Sequence, residues 1–139
     1  MMKYGVKMLC LYIAVFSCLV HAALCDVYLY VDGSANRYRI ISTPVPMIEY
    51  EPMTPMESSS GFYSGGTPKK KNITMAQLTR IVDIFEQAFR AARDHIPQRI
   101  KGSGLVIITS DGTRRVCILA PKSHMQIYLE KELSAILSN

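Results

Sequence analysis

Tryptophan is absent from these 139 residues, histidine occurs three times and cysteine four. So few cysteines and histidines, so widely separated, provide too few ligands for a zinc centre. No apolar run reaches the roughly 20 residues that a bilayer-spanning helix needs; the longest, Met8 to Val20, has 13. A phosphate-cradling loop is also missing. Gly102-Ser103-Gly104 precedes an apolar run rather than following one, and no lysine and hydroxyl pair stands downstream of it. His95 follows Asp94 at the end of a helical pattern, where an imidazole suits the helix dipole. His124 opens another helical pattern with no carboxylate or serine spaced to form a dyad. The sequence therefore offers no catalytic residue, no cofactor-binding residue and no metal ligand, and an enzyme is not expected.

Among what is present, the N-terminus is the first signpost. Lys3 and Lys7 precede the Met8–Val20 run, and His21, Ala22 and Ala23 close it, the three-part layout of a secretory signal peptide over residues 1–25. Small residues permit cleavage after Ala22 or after Cys25. Neither Cys18 nor Cys25 follows the Leu-small-small run of a lipidated cysteine. If Cys25 is retained, a candidate Cys25–Cys117 disulfide would close a long loop and contribute about 4 kcal/mol in an oxidising compartment. If it leaves, Cys117 is a lone buried thiol. No stable membrane span is expected after signal cleavage, and the location is periplasmic or secreted.

Next, Asp26-Val27-Tyr28-Leu29-Tyr30-Val31-Asp32 alternates with period two, Gly33 to Asn36 supplies turn residues, and Arg37-Tyr38-Arg39-Ile40-Ile41-Ser42-Thr43 resumes the alternation. This predicts an N-terminal β-hairpin over 26–43. The Asp-Val-Tyr-x-Tyr-Val-Asp run behind a leader, with a following strand that ends Ser-Thr-x-Val-Pro, resembles the short DUF4124 module at the start of many bacterial envelope proteins. The resemblance covers about 20 residues. It departs from the family pattern in lacking the longer Asp-x-x-Gly turn and an aromatic near the centre of the second strand. It implies a Gram-negative cell-envelope location and no activity.

Composition changes from Pro44 to Asn72. Pro44, Pro46, Pro52 and Pro55 disfavour regular structure, while Ser58 to Gly61, Gly65 and Gly66 add freedom, so 44–72 reads as a flexible Pro/Ser/Gly-rich linker. Its Met53 and Met56 are unusual for an inert spacer and are candidate partner-binding residues. Glu57-Ser58 echoes the catalytic pair of lytic transglycosylases, but it lies between a proline stretch and a serine run, with no helix and no room for a sugar cleft.

Residues 73–139 carry the strongest patterning. Met75, Leu78, Ile81, Val82, Phe85, Ala88, Phe89, Ala92 and Ile96 form a helical stripe from Thr74 to His95, opened by a Thr74/Gln77 capping box and stopped by Pro97. Asp111-Gly112 between Leu105–Thr109 and Arg114–Leu119 predicts a two-residue type I′ hairpin pairing Ser110 with Thr113. That register places Leu105, Ile107, Val116 and Ile118 on one face and Val106, Ile108 and Cys117 on the other. Ser123 with Gln126 suggests a second capping box, followed by Met125, Tyr128, Leu129, Leu133, Ile136 and Leu137 at helical spacing. The expected fold is α+β: a small antiparallel hairpin sheet packed with two amphipathic helices, one on each side, in the order α-β-β-α, preceded by the N-terminal hairpin and linker.

The formal charge of +5 falls once Lys3 and Lys7 leave, because 14 bases then face 11 acids, a net +3. Lys69–Lys71, Arg114 and Arg115 have no interleaved aromatic platform, so nucleic acid is not an expected partner. A two-sided apolar hairpin with open edges points instead to association, with a protein partner or as a homo-oligomer, through Leu105, Ile107, Val116 and Ile118. The expectation is a non-enzymatic exported cell-envelope protein, an accessory or interaction component of an envelope or secretion apparatus. The alternative is a secreted effector or inhibitor acting on a host or competitor protein. Mass spectrometry of the soluble exported material is expected to give an N-terminus between Ala23 and Asp26; an intact Met1 there would refute the leader.

Overall fold

Period-two alternation makes six strands and periodicity near 3.6 makes two helices. In chain order they are β1 (Val27–Val31), β2 (Arg37–Ile41), β3 (Met47–Glu51), β4 (Lys69–Asn72), α1 (Met75–Arg90), β5 (Gly104–Ser110), β6 (Thr113–Leu119) and α2 (His124–Ser138). The computed structural model describes residues 25–139. The leader expected over 1–25 therefore lies, apart from Cys25, outside the described residues. The strands form one antiparallel sheet in the order β4-β3-β2-β1-β5-β6, so the chain is mixed α+β.

β1 is interior, pairing with β2 on one side and β5 on the other. It thereby fuses residues 26–43 and 73–139, which the sequence reading kept apart, into a single sheet. The stretch 44–72 also differs from the linker expected. Two of its segments are strands, because Ile48 alternates with Met47 and Glu49 to enter the core opposite Ile40, and Lys69–Asn72 pairs alongside. Local proline and glycine content lost to burial of Ile48 and to pairing of the backbone.

Both helices pack on the same face of the sheet, which corrects the arrangement with one helix on each side. Tyr28 meets Phe85 of α1 edge-on at 5.5 Å between ring centroids. Tyr30 donates a hydrogen bond to Glu130 of α2 at 2.7 Å. Arg115 lies 4.8 Å over the Phe89 ring and pairs with Glu86, while Lys71 donates to the Ile136 carbonyl. Tyr28, Tyr30, Tyr38, Ile40, Ile48, Val106, Ile108, Cys117 and Leu119 fill this face, and α1 and α2 close it with Leu78, Ile81, Ile84, Phe85, Ala88, Met125, Leu129, Leu133 and Ile136. Tyrosines at registered positions, Tyr30 beside Tyr38 and Tyr38 beside Tyr50, run across three strands as a row of tilted rings. Gly104 makes room for it: a Cβ there would sit 2.7 Å from the Tyr30 hydroxyl oxygen.

The helix ends follow their caps. Thr74 accepts from the Gln77 backbone and Gln77 returns a side-chain bond to Thr74 N, completing the capping box. α1 stops at Arg90, five residues before the end expected at His95. Asp94 is drawn instead toward α2, where its carboxylate accepts from Met125 N at 2.7 Å, and a short 3₁₀ turn at Ala92–Asp94 carries the chain there. At α2, Ser123 caps Gln126 N, but the Gln126 side chain reaches past it to Lys122 N and to the Gly102 carbonyl, so the box is only half formed. The hairpin turn has Asp111 at φ 50° and Gly112 at φ 72°, the paired positive values of type I′, with Ser110 opposite Thr113.

The sheet's two margins differ. β4 is four residues long and three of them are lysine, whereas the far end of β6 is covered by the Asp94–Ile96 segment, through Ile96 N to Ile118 O at 3.0 Å and Ala120 N to Asp94 O at 2.7 Å. Phe85 has no exposed surface and takes part in the contact with β1. Phe85→Ala is expected to cost about 3 to 5 kcal/mol, whereas the exposed Arg90→Ala should change stability by less than about 0.5 kcal/mol. Chemical denaturation of both variants checks this; equal small effects would mean that α1 does not seal the core.

Candidate protein-interaction surface

With both helices on one side, alternation sends Val27, Leu29 and Val31 of β1, Leu105 and Ile107 of β5, and Val116 and Ile118 of β6 to the other. Register confirms the sharing: Leu29 is opposite Ile107, Ile107 opposite Val116, and Leu105 opposite Ile118. Among the described residues no element packs over Val116, which is 50% exposed, and Leu29, Val27, Leu105 and Ile118 are half-buried, whereas Ile107 and Val31 are buried. Antiparallel sheets tolerate a wet face, but usually a polar one. Here the centre is aliphatic.

The same alternation puts charge beside the aliphatics on β2, β3 and β4. Arg39 lies between Leu29 and Glu49, and Glu49 in turn faces Lys70, with which it pairs at 2.7 Å. Arg37 sits 3.9 Å from Glu51. Arg39 and Arg114 form no ion pair among the described residues. A shallow depression of about 360 Å³ runs between them, floored by Val27, Leu29 and Ile107, with Thr109 at one end. A second depression, about 600 Å³, begins at the shared walls Arg37 and Glu51 and continues under the loop at Met53 and Thr54. The first of these is the trough of the open face.

Of the candidate residues, Leu105, Ile107, Val116 and Ile118 are brought together on this face. Met56 is not, and Met53 borders only the second depression. They belong to the loop 52–68 between β3 and β4, which is pinned rather than free. Asn36, buried, accepts from Met53 N at 2.9 Å and donates to Asp32 and to the Tyr63 hydroxyl. Tyr50 donates to Gly65 O at 2.7 Å, and Gly65 N bonds back to Met53 O. Held at its base, the loop projects Met56, 97% exposed, and Phe62, 90% exposed. The sequence reading did not single out Arg37 and Arg39 as part of the surface. The alternation Arg37-Tyr38-Arg39-Ile40 carried the signal, once the tyrosine is recognised as the inward residue.

Of the remaining candidates, His95 has a structural contact. His95 Nε2 donates to the Ala88 carbonyl near the C-terminus of α1 at 2.7 Å, and His124 is exposed. Among the described residues no three His, Cys, Asp or Glu side chains are grouped to hold a metal, and no helix is long and apolar enough to cross a membrane. The candidate disulfide is not formed: Cys25 and Cys117 are both free. Cys117 pairs in register with Val106, which faces Tyr30, so Cys25 lies five residues further along β1 and two strands away. That separation is beyond the reach of a disulfide.

Burial pushes the Cys117 thiol up to about 11, and hydrogen bonding at Thr43 lowers that of the exposed Cys25. Because the thiolate is the reactive species, a reduced chain that retains Cys25 should show one fast thiol toward an aromatic disulfide reagent at mildly alkaline pH, and the second only in denaturant. Two fast thiols in the native protein would mean that β6 opens beneath α1. Comparison with known proteins finds no matching family model, no matching curated protein and no matching solved structure.

Proposed function

We propose that the chain is a non-enzymatic exported protein of the cell envelope that works by binding another protein, as an accessory component of an envelope or secretion apparatus. One observation carries this reading: a sheet whose two helices cover the same face, leaving Val116 exposed and Leu29, Leu105 and Ile118 half-buried on the other. An aliphatic patch rimmed by charge is the usual makeup of a protein-binding face, since apolar contact supplies affinity and the rim supplies orientation. The envelope location draws support from the lysine, apolar and small-residue layout of the first 25 residues and from the resemblance of 26–46 to DUF4124 modules.

A second reading, a secreted effector or inhibitor acting on a host or competitor protein, is favoured by the pinned loop 52–68. A loop held by Asn36 and Tyr50 that presents Met56 and Phe62 suits insertion into a target's cleft, because ordering costs have been met before binding.

Site-specific photo-crosslinking in the native host separates the readings. With the photoreactive residue at Val116, the accessory-component reading expects a discrete adduct in the envelope fraction. With it at Phe62, the effector reading expects the adduct, and in the culture supernatant or target cells. Placement at Thr79, exposed on α1, serves as control. Equal labelling at all three positions, or none, would overturn both, and an adduct of twice the chain mass would identify a homo-oligomer.

A further inference from the structure

The trough on the open face is asymmetric in charge. Among the described residues Arg37 is met by Glu51 and Lys70 by Glu49, but the Arg39 and Arg114 guanidiniums at its two sides have no carboxylate partner. A second copy of this chain would bring the same excess of positive charge against them. The face therefore complements an acidic partner better than itself.

Register also gives the spacing. Arg39 is opposite Leu29, Leu29 is opposite Ile107, and Arg114 is opposite Thr109, two residues beyond Ile107 on the same strand. Three strand intervals of ~4.8 Å and two residue steps of ~3.4 Å put the two arginine Cα atoms about 16 Å apart, with Leu29, Ile107 and Val27 between them. In an extended segment alternate residues face one way, so carboxylates at positions i and i+4 are separated by about 13 Å, and the residue at i+2 points at the floor between them. The extended arginine side chains take up the difference. A bound α-helix fits less well, since i and i+4 on a helix are only about 6 Å apart.

We propose that the trough binds an extended segment of another protein with the pattern acidic-x-apolar-x-acidic, its apolar side chain over Leu29 and Val27 and its two carboxylates on Arg39 and Arg114. This rests on the reading of the open face as a protein-binding surface. Guanidinium and carboxylate match in planar, two-pronged geometry, which orients the segment across the strands rather than along an edge. Recognition is by side chains on a face, so the partner's backbone need not join the sheet.

The test uses the full chain and blocked synthetic peptides made of repeats of Glu-Thr-Ile-Thr, with Lys-Thr-Ile-Thr repeats as the reversed probe, followed by calorimetry and by amide shifts in NMR spectra. The glutamate peptide is expected to bind, to shift amides of β1 and β5, and to weaken as salt rises. Arg39→Glu combined with Arg114→Glu, both exposed and without partners that folding needs, should weaken it about tenfold and confer binding of the lysine peptide. Circular dichroism of the double variant confirms that it is folded. If neither peptide binds while crosslinking from Val116 still yields a discrete protein adduct, the acidic-segment proposal fails and the protein-binding reading stands. If crosslinking from Val116 fails as well, the reading itself fails. Arginine-dependent binding of phosphatidylglycerol vesicles in place of the peptide would overturn the proposal in favour of a lipid surface.

Discussion

The inward face of β1 is the constraint on which everything else depends. Tyr28 touches Phe85 of the first helix, and Tyr30 sends its hydroxyl to Glu130 of the second, so one five-residue strand meets both helices while pairing on both edges. Burial is a heavy burden for a tyrosine hydroxyl, worth several kcal/mol if left without a partner, and Glu130 relieves it by accepting the proton's hydrogen bond. The same burial, with the carboxylate beside it, drives the Tyr30 pKa far above the ordinary phenol value. Tyr30 is thus a permanent donor, not a titrating group, and it locates α2 against the sheet.

Short connections keep each helix beside the edge strand it leaves, and the buried side chains set the side. Only Ile73 and Thr74 separate β4 from α1, and Ala120 to Ser123 separate β6 from α2. Ile73, buried and bonded through its N–H to the Pro46 carbonyl, directs the first connection inward, and Asp94 reaches over to cap the second helix. The charge pattern of the helices agrees: Arg80 pairs with Glu132 across the gap between them, and Glu86, held below the ordinary carboxylate range by Arg115, clamps α1 to β6. The uncovered face is therefore the one opposite these inward residues, and its aliphatic content leaves it open to a partner.

Most of the local structure was legible in the sequence. The capping box at Thr74, the Asp111-Gly112 turn and its register, and the helical stripe each rest on interactions within a few residues, which sequence spacing records directly. What could not be read was the joining of distant pieces. Ile48 reads as one apolar residue in a proline-rich stretch until Ile40 is placed beside it, and Asn36 reads as a turn residue until the Met53 backbone arrives to be bonded. The surface was legible in part. Leu105, Ile107, Val116 and Ile118 followed from one turn, but Arg37 and Arg39 required knowing that Tyr28 and Tyr30 of β1 and Tyr38 of β2 face inward. In the same way α1 looked longer than it is, because Ala92 and Ile96 keep the period although Asp94 is occupied at α2.

The two margins of the sheet have a consequence for how the molecule behaves in a crowd. A strand with Lys69, Lys70 and Lys71 repels a copy of itself, and the opposite strand has its far end occupied by the chain's own Asp94–Ile96 segment. Open-ended stacking, in which each molecule templates the next along a growing ribbon, is blocked at one side by charge and shortened at the other by occupancy. A protein can then expose an aliphatic face for recognition without becoming a seed for fibres, because stickiness is confined to a surface that saturates after one encounter.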